Sequence, residues 1–192
     1  MGPLKAARPE AREAAAQAGV KSAGTALKWI IALAAVITLV LLLGGYVGLF
    51  SGQRPGNLGA RDGRLAPCAS TSNCVSSQAD SKDGGHYIAP LAIAGGAPAA
   101  WSALLAVLRA EPRVLIVAEK SGYLHAEFTS RLMGYVDDVE FLLDEKASLI
   151  QVRSASRLGS SDFGVNRKRV EAIRAALNAR LGDRLKPPRP GK

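Results

Sequence analysis

Between Trp29 and Phe50 the chain runs 22 residues without a formal charge, WIIALAAVITLVLLLGGYVGLF. About 20 such residues cross the hydrocarbon core of a bilayer as a helix, so this block predicts one transmembrane span over residues 27–50. Lys28 and Trp29 at its start and Tyr46 near its end are residue types that settle at the headgroup level. A cleaved signal peptide is the rival reading. Its apolar region is only about 7–15 residues and ends in small residues at the cut, whereas this run is longer and closes on Gly-Leu-Phe-Ser-Gly-Gln. A core helix this uniform fits poorly in a small domain, where one face must meet water.

Lys5, Arg8, Arg12, Lys21 and Lys28 precede the span, and only Arg54, Arg61 and Arg64 follow within comparable reach. That excess of basic residues places the N-terminus in the cytoplasm and the rest of the chain across the membrane. The whole sequence has 25 basic and 16 acidic side chains, of which the first 50 residues hold 5 and 2. The remainder therefore has 20 against 14, a net charge of +6. Nucleic-acid binding would want clustered cations interleaved with exposed aromatics, and aromatics are 5% of this chain. No nucleic-acid partner is expected. Gly44-x-x-x-Gly48 would let two spans approach, but small residues are common in membrane helices, so it assigns no oligomeric state.

Residues 1–26 are Ala-rich and lack a strong apolar stripe, which reads as a mobile cytoplasmic leader. Residues 51–85 are dense in Gly, Ser, Asn, Asp and Pro, which marks irregular structure and not helix or strand. Cys68 and Cys74 both lie there, six positions apart. In an oxidising compartment they would close a small disulfide ring worth about 2 kcal/mol by loop-closure estimates. Zinc wants four ligands, and His86 and His125 are the only soft candidates besides the cysteines, so neither a metal nor another cofactor is expected.

A compact domain is expected over 86–183. His86–Ala89 reads as a short strand. Pro98 opens a helix with Trp101, Leu104, Leu105 and Leu108 at helical spacing, closed by Pro112. Arg113–Glu119 and Tyr123–Thr129 form a hairpin around Lys120-Ser121-Gly122. Leu124, Ala126 and Phe128 should face the core, with Tyr123, His125, Glu127 and Thr129 on a face that reads equally well as exposed sheet. Val139, Phe141 and Leu143 alternate in a third strand, with Asp137 and Asp138 in the loop before it, and Leu149–Ser156 makes a fourth. Ser161 or Asp162 should cap a last helix whose stripe is Val170, Ile173, Leu177 and Leu181 and whose stop is Gly182. Residues 184–192, basic and Pro-rich, read as a disordered tail. The fold class is α+β: one N-terminal transmembrane helix, then a mainly antiparallel sheet of about four to five strands packed by two helices.

Catalytic motifs are incomplete. Asp162-Phe163-Gly164 spells the kinase magnesium motif without its companions, and Gly159-Ser160-Ser161-Asp162-Phe163 misses the last Gly of a nucleophile elbow. A polar density remains around the last strand and helix: Arg153, Ser154, Ser156, Arg157, Ser161, Asp162 and Asn166, with Asp137 and Asp138 upstream. Guanidinium groups, hydroxyls and helix N-terminal amides could cradle an anion. The competing reading makes Asp162 a cap, Ser and Asn turn formers, and the arginines partners of Asp137 or Asp138.

The runs Arg54-Pro55-x-Asn57-Leu58-Gly59, Leu65-Ala66-Pro67-Cys68, Asn73-Cys74-Val75-Ser76-Ser77-Gln78, Gly134–Phe141 and Val152-Arg153-Ser154-Ala155-Ser156-Arg157-x-Gly159-x-Ser161-Asp162-x-Gly164-x-Asn166-x-x-Arg169 resemble the domain of unknown function 1499 family. The motifs spread over most of 54–178 and draw Arg169 into the candidate set. The resemblance implies a typically bacterial protein with a membrane segment or export signal ahead of the domain, and assigns no reaction. The expected location is the bacterial inner membrane with the domain periplasmic or otherwise extracytoplasmic. The expected role is a non-enzymatic envelope module binding an anionic small molecule, a lipid or an envelope protein. One rival is a hydrolase-like enzyme using His125 or Asp137 and Asp138 beside Arg153, and another is a purely structural membrane protein.

Overall fold

A computed structural model describes residues 9–93 and 96–185. The expectations for residues 1–8 of the leader and for the tail from 186 onward lie outside the described residues. The chain divides into two compact units, Met1–Gly44 and Gly45–Lys192, each taken by itself.

Helix α1, Pro9–Tyr46, makes up the described part of the first unit and begins well before the apolar run. Its stretch Thr25–Tyr46 is the one helix among the described residues long and apolar enough to cross a membrane. At about 1.5 Å per residue those 22 residues reach about 33 Å, the thickness of a hydrocarbon core. Leu27, Trp29, Ile30, Val36 and Leu39 are all more than half exposed, so no polar side faces water. A signal sequence passes the same test of length and composition.

The second unit contains β1 (Cys74–Ser76), β2 (Leu91–Ala92), α2 (Ala97–Ala110), β3 (Val114–Lys120), β4 (Tyr123–Thr129), β5 (Val136–Asp144), β6 (Leu149–Ser156) and α3 (Val165–Leu185). All strand pairs are antiparallel, in the order β1-β6-β5-β4-β3, with β2 also pairing to β6. The α+β class therefore stands, with six strands where four to five were expected.

One sheet face is apolar. Leu124 and Ala126 of β4, Val139 and Phe141 of β5, and Ile150 and Val152 of β6 are fully buried there. They pack against Ala100, Ala103, Leu104 and Leu108 of α2 and Val170, Ile173 and Leu177 of α3. Pro sits in the first turn of α2, where its missing N–H costs nothing, and Trp101 packs against the core while staying partly exposed. The β3–β4 turn is the two-residue link Ser121-Gly122, with Gly122 at φ 71°, as a tight hairpin requires.

Four expectations change. The turn-rich stretch 51–85 is not strandless: Cys74–Ser76 pairs with Ala155–Arg153, because the buried Val75 gives that short segment a place on the core face. His86–Ala89 is not a strand but makes a single bridge through Tyr87 to Ser76, and the pairing segment starts after Pro90, whose ring has no N–H to donate. Asp137 and Asp138 lie within β5, since the ladder extends to Asp137 opposite Phe128 and Ser156. α3 continues through Gly182 to Leu185, with Leu181 still buried.

The Asp162 carboxylate accepts the backbone N–H of Gly164 at 2.9 Å and of Asn166 at 2.7 Å, satisfying donors at the start of α3. Asp162→Ala should cost about 1 kcal/mol in urea unfolding. A loss of only a few tenths would mean that other groups carry the cap.

Candidate functional site

Neighbouring residues of a strand point to opposite faces, so the sheet divides the polar candidates into two clusters. They do not meet in one cleft. Asp137, Ser154, Ser156, Asn166 and Arg169 lie on the helix side, while Asp138, Arg153 and Arg157 lie on the other.

On the helix side Asn166 is fully buried and ties three elements together. Its amide donates to Asn73 O and Ser156 Oγ, both at 3.0 Å, and its carbonyl accepts from Ser154 Oγ and Arg169. Arg169 also pairs with Asp137 and lies 4.9 Å from the centroid of the Phe128 ring. Asn73, 6% exposed, sends its own amide to Gly159 O at 2.6 Å. These bonds seat the N-terminus of α3 on β1 and β6.

The alternation left open whether the opposite face, around His125, is exposed sheet. It is buried: His125 is 3% exposed, Asp138 1%, Glu140 0% and Arg153 6%. The cover is the Gly- and Pro-rich stretch after Phe50. Arg54 Nε donates to Glu127 Oε1 at 2.7 Å, and Gly59 N donates to Glu140 Oε1 at 2.7 Å. Gln78 side-chain bonds to Leu65 N and Gly63 O hold the same stretch down. The Cys68–Cys74 disulfide, Cα atoms 5.7 Å apart, fastens it to the edge strand β1.

Beneath the cover, charges pair across strands. His125 Nε2 and Asp138 Oδ1 are 2.8 Å apart, Arg157 donates to both oxygens of Asp138 at 2.8 Å and also to Glu127, and Arg153 donates to Glu140 at 3.1 Å. The Tyr123 hydroxyl donates to Glu140 Oε1 at 2.8 Å. Arg153 Nε is the one buried side-chain polar atom without a hydrogen-bond partner among the described residues.

Burial pushes the Asp138 carboxyl up, but hydrogen bonds from Arg157 and then His125 outweigh it and hold the group below the usual carboxylate range. Glu127 is likewise lifted by burial and lowered more by Arg157 and Arg54. The Arg157 guanidinium is raised chiefly by its bonds to Asp138. Burial, followed by the Glu140 charge, pushes the Tyr123 phenol up, so it stays a neutral donor. Carboxylates with depressed folded-state values give stability that is present above their unfolded values and lost as pH falls through the folded ones. The urea midpoint should therefore change little from pH 7 to 5 and fall below about pH 4. A main loss already complete by pH 5 would contradict this.

The chemistry available to this cluster is limited. His125, Glu127 and Asp138 each offer a ligand atom within 4.8 Å of the others. Arg157 already bridges both carboxylates, so a divalent ion would have to displace a guanidinium. No serine hydroxyl or thiol among the described residues is hydrogen-bonded to either imidazole: His125 faces Asp138, and His86 faces Asp83 and Thr71 O. All nine candidates, Asp137, Asp138, Arg153, Ser154, Ser156, Arg157, Asp162, Asn166 and Arg169, bond within the domain.

Residues 64–177, well over half of the chain, match the family model described as Protein of unknown function (DUF1499). The chain belongs to this family. No curated protein and no solved structure matches it. The DUF1499 segment begins at Arg64 and ends at Leu177, so it takes in the disulfide, the whole sheet and both buried polar clusters.

Sequence reasoning passed over Glu127, Glu140, Tyr123 and Arg54, which build half of the covered network. The signal was there in the alternation: Tyr123, His125 and Glu127 on β4, Asp138 and Glu140 on β5, and Arg153 on β6 share a face and carry both signs of charge. Outside the DUF1499 match, Phe50 helps line an open, largely apolar feature beside the helix-side cluster. It is a groove of about 450 Å³ whose walls also include Tyr135, Leu158, Phe163 and Val165, with Asp137 and Ser156 among its polar lining.

Proposed function

We propose that the chain is a non-enzymatic, membrane-anchored interaction module whose DUF1499 domain works outside the reducing cytosol. The apolar helix supplies the anchor, and the basic residues ahead of it favour a cytoplasmic N-terminus. Disulfides persist in oxidising compartments, so the Cys68–Cys74 bond supports a periplasmic or otherwise extracytoplasmic domain.

The observation that carries the non-enzymatic reading is the internal pairing of the buried cations. Arg153, Arg157 and Arg169, the groups that would greet an anion, each face a carboxylate. The network holds the cover and the helix in place, and the open apolar groove offers a surface for interaction.

The test is a panel of chromogenic ester, phosphoester and amide substrates given to the full chain and to His125→Gln. Neither should exceed the buffer rate. Turnover that disappears in His125→Gln at unchanged Tm would establish the hydrolase reading instead.

A further inference from the structure

The end of the sheet where β4 turns into β5 and β6 leads into α3 exposes large apolar side chains at the tips of two loops. Leu132 is 66% exposed, Leu158 43% and Phe163 91%. Phe163 stands at φ 53°, a left-handed conformation that a bulky aromatic rarely adopts, and Gly164 follows at φ 77°. The Asp162 carboxylate, bonded to Gly164 N and Asn166 N, fixes that turn with the ring pointing into solvent. An apolar ring held outward in this way contributes nothing to packing the domain.

The chain itself says what lies opposite. Phe50, a wall of the groove, comes four residues after Tyr46, the last residue of the candidate span. Four residues reach at most about 14 Å, so the groove stays close to the point where the chain leaves the bilayer. Within the compact unit, Gly45 approaches the β4–β5 loop so closely that a Cβ would lie 2.9 Å from Leu132 O. The Phe50 and Tyr135 rings meet at 5.7 Å between centroids. Arg131, exposed beside Leu132, adds a cation suited to anionic headgroups. At the other end of the sheet, the turns Ser121-Gly122 and Glu145–Ser148 are polar and exposed, with no large apolar side chain.

We infer that the groove end of the domain docks on the bilayer surface, with Phe163, Leu132 and Leu158 entering the boundary between headgroups and acyl chains. Aromatic and leucine side chains at that depth bury apolar surface while the loop backbone stays hydrated. Tethering beside the surface makes each contact effectively intramolecular, so a few side chains suffice. This docking rests on the membrane-anchor reading above.

The experiment reconstitutes the full chain in vesicles of phosphatidylcholine and phosphatidylglycerol, with or without spin-labelled acyl chains. The native cysteines stay in their disulfide while a fluorophore is attached to Phe163→Cys, to Leu132→Cys, which keeps Phe163, or to Ser121→Cys at the polar end. Lipid quenching should be several-fold stronger at 163 and 132 than at 121. Equal, weak quenching at all three positions in carbonate-resistant chain would overturn the docking and leave the anchor standing. A blue shift at 163 that the spin labels do not quench would overturn it in favour of a protein occupant such as a second copy. Removal of the chain by carbonate would overturn the anchor, and the docking with it.

Discussion

Arg157→Ala should destabilise the domain by about 3–5 kcal/mol, measured by urea or thermal unfolding of the full chain in detergent. The Arg157 side chain is 6% exposed, and its removal leaves the Asp138 side chain, 1% exposed, and Glu127 without their main counter-charge. The magnitude comes less from the attraction lost than from the carboxylates left behind, since a buried charge without a partner carries its whole desolvation cost. Arg157→Lys should recover only part of the loss, because one ammonium cannot reproduce the forked contact with both oxygens of Asp138. The acid-side titration should also shrink in Arg157→Ala, as Asp138 and Glu127 lose the bonds that depress them. A cost near 1 kcal/mol would mean that water reaches these groups and that the cover is not a cover.

Breaking the Cys68–Cys74 bond should cost about 2 kcal/mol from loop closure alone. The ring is small, six positions apart in sequence, but one of its ends is the first residue of β1, paired to Ala155. That strand has only three residues, and Asn73 beside it accepts the Asn166 amide through its carbonyl. Opening the ring therefore loosens the edge strand and one support of α3 together. Comparing Tm with and without reductant checks the size. Cys68→Ser/Cys74→Ser should melt lower than wild type and be indifferent to reductant, and an unchanged Tm would show that the ladder alone holds β1.

The elements with strong periodicity were readable from sequence: α2 through Leu104 and Leu108, the β3–β4 hairpin through Gly122, and the stripe of α3 through Val170, Ile173 and Leu177. The address of Asp137 and Asp138 was not, because two adjacent carboxylates resemble a turn until partners appear on both faces. His125 illustrates the same physics. Alternation places it opposite the core, but only the tertiary position of 54–59 decides whether that face meets water. Loops rich in Gly and Pro carry no periodic signal, so a cover built from one is invisible to pattern reading. The same holds on α3, where Arg167 and Arg174, off its apolar stripe, donate to the carbonyls of Tyr87, Ala89 and Pro90.

A domain anchored outside the reducing cytosol has one direct test. Native full-length chain, extracted from membranes with a thiol alkylator and without reductant, is weighed intact. No added mass is expected for such a domain, because Cys68 and Cys74 are joined. A chain carrying two adducts would contradict it.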